Sequence, residues 1–344
     1  MKLTVGGSAR IRIWAAVAAL LIALFSPARG HARGGNAVDV TGLVDAARQQ
    51  FDQGQYGAAM TTLQSAQSQN PASAEIYYWM GRAFFEIHDY DSAITQFQRA
   101  ISLNGNVSIY HQWLGRAYGS KADKEKSFFV ARNAKGQFET AVKLDPANLE
   151  ARRDLADYCM QAPWIVGGNK DEALAQVNAI STINSAAGHL ARAEYDLNVL
   201  KSPEKADSEY RAVLAEQPAE VEAYLEAAAF FARQNELPEL KSAVDGLEKL
   251  HPGDPRVTFY RGVYGVLSNA QADNAEEELK SYLARTPDRS DWPSHSLARD
   301  WLGRLYEQQG KMLQAAEQYR AALQLNPQNQ DARARLQQLE KAVR

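Results

Sequence analysis

Cysteine is nearly missing from this chain: Cys159 is the only one in 344 residues. A lone thiol excludes an internal disulfide and any cysteine-rich zinc site. A surplus of positive charge is missing too, with 38 basic side chains against 41 acidic ones. Without a basic footprint for phosphates, nucleic acid is not an expected partner. Histidines are few and scattered: His31, His88, His111, His189, His251 and His295. No two stand four apart, and none pairs with an acid at metal-ligand spacing. The G-x-S-x-G serine elbow is absent, and Gly167-Gly168-Asn169-Lys170 does not complete a phosphate loop. That stretch reads as a turn and helix entry. Nothing brings a nucleophile, a base and an oxyanion donor together, so neither catalysis nor a cofactor is expected.

What is present begins with a leader. Lys2, Arg10 and Arg12 precede an apolar run of 13 residues, Ile13 to Phe25, and small residues follow at Ala28 and Gly30. This is the three-part pattern of a secretory signal, expected over residues 1–30 with cleavage near Gly30 or Ala32. As a helix the run covers about 20 Å, short of a hydrocarbon core of about 30 Å, so stable membrane insertion is not expected after cleavage. No cysteine follows the run, so no lipid anchor is expected there. Loss of four basic residues and no acidic one takes the net charge from −3 to −7. Residues 31–39 are polar and glycine-containing and are expected to be flexible. A single thiol suits an oxidising compartment, so a periplasmic or secreted location is expected.

The rest repeats. Tyr77, Met80-Gly81, Phe84, Tyr90, Ala93, Phe97 and Ala100 recur as Leu302-Gly303, Tyr306, Gly310, Ala315, Tyr319 and Ala322, followed by Asn326-Pro327. Met80, Gly81 and Phe84 share one helical face, and Ala93, Phe97 and Ala100 share a face of a second helix. The glycine lets that second helix approach closely. Pro71, Gly105, Pro146, Ser185, Pro218, Pro252, Pro287 and Pro327 mark unit ends, with gaps of 34, 41, 39, 33, 34, 35 and 40 residues. Proline cannot continue a helix, so each gap holds one helix pair. In the fifth and sixth units Glu194 and Ala228 replace the glycine. In the last stretch Ala332, Leu336, Leu339 and Val343 form a narrow apolar stripe.

This pattern resembles the tetratricopeptide repeat signature, W-x2-L-G-x2-Y followed by A-x3-F-x2-A and proline. The resemblance implies an all-α, right-handed superhelical solenoid: about eight antiparallel helix pairs over residues 40–327 and a capping helix over 328–344. Together with the leader, it points to an exported, bacterial-type member of that superfamily whose work is binding. Three units carry extra residues, around Lys121, Trp164 and Trp292. The first insertion reads as lengthened helices. The second reads as a helix broken at Pro163 and a tight glycine turn.

In such repeats the first helix of each pair lines the inner wall. One phase of that helix holds Arg48 in the first unit, Tyr78, Trp79 and Arg82 in the second, and Gln112, Trp113 and Arg116 in the third. The same phase holds Leu297, Asp300, Trp301 and Arg304 in the last unit. Stacked units would align the arginines and tryptophans as a ladder on an open face, away from the helix-pair core. Such residues suit an extended, carboxylate-bearing protein or peptide. The lysine-asparagine-arginine clamp of co-chaperone members is not carried over, because Val44, Trp79 and Ile109 stand where it needs polar groups. Residues 193–250 hold 6 basic and 13 acidic side chains, a face of the other sign. The reading is an exported interaction scaffold with a concave partner groove, in the setting of cell-envelope assembly. The alternative is a glycan binder that stacks sugars on Trp79, Trp113, Trp164, Trp292 and Trp301.

Overall fold

The computed structural model describes residues 40–269, 272–286 and 292–342. The expected signal segment, the stretch 31–39, Pro287 and Val343 lie outside the described residues. Among the described residues there are seventeen α-helices and no strand, as the repeat pattern requires. The chain divides into two compact units, one ending at Leu144 and one starting at Asp145.

The first unit holds three helix pairs: α1 (Val40–Asp52) with α2 (Tyr56–Gln69), α3 (Ala74–Glu86) with α4 (Tyr90–Leu103), and α5 (Ser108–Glu125) with α6 (Phe128–Leu144). The second holds five: α7 (Leu149–Gln161) with α8 (Lys170–Ile183), α9 (Ser185–Tyr195) with α10 (Pro203–Glu216), α11 (Val221–Gln234) with α12 (Leu237–Leu250), α13 (Pro255–Ser268) with α14 (Ala272–Arg285), and α15 (His295–Gln308) with α16 (Met312–Leu325). The helix α17 (Gln330–Ala342) follows, and its Ala332, Leu336 and Leu339 close the last core cluster over Tyr306 and Tyr319.

The glycines sit where the repeat logic puts them. A Cβ on Gly81 would lie 2.6 Å from Phe97 Cε1, and one on Gly115 would lie 2.6 Å from Phe138 Cε1. Gly303 meets Tyr319 in the same way. In the pair α11–α12 the arrangement is reversed: Tyr224 on the first helix packs into a notch left by Gly246 on the second. The crossing therefore survives although Ala228 stands where the glycine was expected.

Each turn within a pair contains a residue in the left-handed region. These are Gly54, His88, Lys126, Gly167, Lys201, Asn235, Asn269 and Gly310. A left-handed residue reverses the chain after the last helical turn and frees the next residues to start the second helix. Of the connections between pairs, those at Gln217 and Gly253 also contain a left-handed residue, while others are extended. Asn148 and Asn184 cap the following helices by accepting from Ala151 N at 2.9 Å and Ala187 N at 2.8 Å. Asn184 is the whole link between α8 and α9, so Ser185 opens a helix rather than ending a unit.

Two insertions resolve as expected. The helices α5 and α6 have 18 and 17 residues, against 13 and 14 in α3 and α4. After α7, Pro163 leads into a 3-10 turn, Trp164–Val166, and Gly167 turns the chain at φ 100°. Tyr158 Oη donates to Val166 O at 2.8 Å and fixes this knuckle, which leaves Trp164 84% exposed.

Candidate functional site

The first helices α1, α3 and α5 each have neighbours on two sides. Their own second helix covers one face, and the first helices of adjacent pairs cover another. Ring contacts show the second packing: Phe51 lies 5.5 Å from Trp79, Tyr78 lies 5.2 Å from Tyr110, and Phe85 lies 5.3 Å from Trp113.

Within that packing the expected ladder forms as an alternating stack of guanidinium and indole. Arg48 lies 5.1 Å from the Trp79 ring centre. Arg82 lies 5.5 Å from Trp79 and 3.7 Å from Trp113. Arg116 lies 4.8 Å from Trp113. Phe51 adds a ring at 5.0 Å from Arg82, and Tyr78 Oη accepts from Arg82 Nη1 at 3.1 Å. Six of the seven residues singled out in the sequence thus meet in one strip. Gln112 is buried on the same helix, one turn before Arg116.

The expectation that this face is open is corrected. Tyr78, Arg82, Gln112, Trp113 and Arg116 are all buried, with Arg82 only 7% exposed. Only Arg48 remains well exposed, and it pairs with Asp45 at 3.4 Å and Glu75 at 4.0 Å. The physical reason is the lateral stacking of first helices. Amphipathic spacing identifies the face toward the partner helix, but the flank reached one turn away is covered by the next unit.

The electrostatics of Arg82 set it apart. Among the described residues no carboxylate lies within ion-pair distance of it, and its Nε has no hydrogen-bond partner. Arg304 also follows a crossing glycine and stacks on a tryptophan, at 4.4 Å from Trp301. There the charge is neutralised by Asp300 at 2.8 Å and Asp331 at 3.1 Å. The position four residues before the arginine makes the difference: Asp300 in α15 and Tyr78 in α3. Cation–π contact contributes only about 2 kcal/mol even when desolvated, whereas a buried ion loses several kcal/mol of hydration. Arg82 is therefore a stored, under-compensated positive charge. A carboxylate supplies the missing partner through charge-assisted hydrogen bonds.

The second unit carries a cluster of opposite sign that sequence reading missed. Arg153 on α7 binds both carboxylate oxygens of Glu226 on α11, at 3.1 and 3.0 Å, and Glu194 on α9 at 3.3 Å. Burial pushes the Glu226 carboxyl up to about 8, with Arg153 opposing the rise and Glu194 adding to it. Burial and the neighbouring Glu194 also raise Asp157 well above the ordinary carboxylate range. The acidic excess of residues 193–250 was visible in the sequence, but the partner at Arg153 was not. Among the described residues no group of histidine, cysteine and acidic side chains is placed to hold a metal ion. Cys159 is buried.

This is a two-helix repeat fold that presents stacked first helices, an architecture typical of binding scaffolds. Comparison with known proteins agrees. Family models described as "Tetratricopeptide repeat" match residues 50–116 and 296–329. Those two stretches match tetratricopeptide repeats, and proteins built of such repeats are generally protein–protein interaction scaffolds. No curated protein matches. Similar solved structures include MamA, 23% identical with a TM-score of 0.37 over 44% of this chain and 81% of that one. A tetratricopeptide repeat protein from Parabacteroides merdae is 13% identical, with a TM-score of 0.41 over 88% and 98%. The APC/C hetero-tetramer Cut9–Hcn1 is 11% identical, with a TM-score of 0.49 over 88% and 57%. At these scores the likenesses carry no argument about partners.

Proposed function

We propose that this chain is an exported interaction scaffold that receives a carboxylate-bearing segment of a protein partner at the Arg48–Trp79–Arg82–Trp113–Arg116 strip. The observation that carries the reading is Arg82, a buried guanidinium held between two indoles without a carboxylate. An acid introduced by a partner replaces the hydration Arg82 gave up on folding, and the stacked rings orient the fork toward it. The basic, apolar and small-residue segments of residues 1–30 support export, and the cell envelope is the setting proposed for the partner.

Sugar stacking is less well supported. It needs several open ring faces, whereas Trp79, Trp113 and Trp292 have guanidinium groups near theirs, Trp301 is buried under Arg304, and Trp164 alone of the five stands open. The test begins with a pull-down of the tagged protein from envelope extract and identification of the bound protein. That partner is then titrated against the parent chain and against Arg82→Met. A desolvated hot-spot contact is worth roughly 2–4 kcal/mol, so affinity should fall by about 30- to 1000-fold. Unaltered affinity removes the strip from the binding site. Capture of no protein, together with retention on a glycan array, overturns the scaffold reading.

A further inference from the structure

The lengthened pair α5–α6 ends in a tip that exposes two adjacent aromatic side chains. Phe128 and Phe129 open α6 at 53% and 86% exposure. Helix lengths of 18 and 17 residues extend this hairpin by about one turn, roughly 5 Å, beyond one built from α3-length helices. The tip is a built turn. Lys126 adopts the left-handed conformation at φ 55°, Ser127 N donates to Ala122 O at 3.1 Å, and Ser127 Oγ accepts from Val130 N at 3.4 Å. Charge at the tip runs against the rest of the chain. Residues 121–135 hold five basic and two acidic side chains, net +3, in a chain of net −3. Lys121 is held by Asp91 and by Glu125, and Lys135 by Glu139; Lys124, Lys126 and Arg132 are exposed, Lys124 donating to His88 O at 3.4 Å beside the Tyr90 ring.

We infer that this tip is a peripheral docking point for an anionic phospholipid surface, a property separate from the proposed partner strip. Two adjacent aromatic rings at a convex end favour the headgroup–acyl boundary, where a ring is buried without a protein pocket. Basic side chains around them reach lipid phosphates, each adding roughly a fivefold gain in partition at low salt. A flat acidic protein surface would use the three cations but leave the projecting rings unburied, so the bilayer fits better. The contact is peripheral: among the described residues no helix is long and apolar enough to cross a membrane.

The test uses the full chain with Phe129→Cys carrying an environment-sensitive fluorophore. Cys159 is the only native thiol and is buried, so the label goes to the tip. The leader's apolar run is present in every sample, and the label reports only its own surroundings. Vesicles of equal parts phosphatidylglycerol and phosphatidylcholine should give a blue-shifted, enhanced emission. Phosphatidylcholine alone should give little. Lys124→Glu with Lys126→Glu should weaken the response at least tenfold, and so should raising the salt to about 0.5 M, where screening acts within a few ångströms. In co-sedimentation, Phe128→Ser with Phe129→Ser should bind these vesicles at least tenfold more weakly than the parent. An emission unchanged by saturating anionic vesicles overturns the inference. So does an equal response to zwitterionic vesicles, a charge-reversal variant that responds like the parent, or a label that answers to polyglutamate but not to lipid.

Discussion

Arg82→Met should leave the protein as stable as the parent or more stable, although it removes a buried residue from the middle of a stack. The guanidinium has its ring contacts and one hydrogen bond to lose. Its contacts with Trp113, Phe51 and Trp79 are worth about 2 kcal/mol together in a desolvated site. Its hydrogen bond to Tyr78 Oη, at 3.1 Å, contributes about 1.5–2 kcal/mol as a charge-assisted bond. Against these stands the dehydration of an ion that no described carboxylate neutralises, a cost of several kcal/mol. Methionine keeps most of the volume, and its thioether packs favourably among Phe51, Trp79 and Trp113, by about 1 kcal/mol. The balance is a gain of about 1–3 kcal/mol, or a rise of several degrees in the thermal midpoint. Urea and thermal unfolding of both proteins, followed by circular dichroism, measure it. A loss of 2 kcal/mol or more would show that Arg82 is a structural tie between units, and the stored-charge argument would fall with it.

The arginine with two acids should behave in the opposite way: Arg304→Met strands Asp300, which has 0% exposure, and should cost about 3–5 kcal/mol in the same unfolding experiment. Gly81→Ala should cost about 1–3 kcal/mol, because its Cβ would meet the Phe97 ring at 2.6 Å. Gly136→Ala, in open space on α6, should instead gain about 0.5–1 kcal/mol, and equal midpoints for the two would displace the proposed crossing. The Arg153 cluster predicts a pH dependence of definite sign. Unfolded glutamate titrates near about 4.3, while burial and Glu194 push folded Glu226 up to about 8. Between those values the folded protein keeps a proton that the unfolded chain has lost, so stability falls as pH rises from about 5 to 8. Glu226→Gln should flatten that slope in melts taken across the range, and an unchanged slope would assign the proton elsewhere.

Much of the architecture is determined by sequence because its causes are local or nearly so. Spaced prolines set most unit ends, and a glycine one residue after an apolar position sets the crossings at Gly81, Gly115 and Gly303. Lengthened helices around Lys121 follow from an insertion with no glycine or proline to break it before Gly136. Ser185 shows the limit of such marks, since it opens α9 after the single capping Asn184 instead of ending a unit. The reversed notch of Gly246 and Tyr224 lies beyond the motif, because a crossing needs one small residue and either helix can supply it. Register placed the arginines and tryptophans in one ladder. Only tertiary stacking decided that they are buried, since the covering side chains come from units tens of residues away. The same holds for Arg153 and Glu226, which are 73 residues apart. Whether Arg153 is compensated depends on which helices lie side by side, and helical periodicity carries no information about that neighbour.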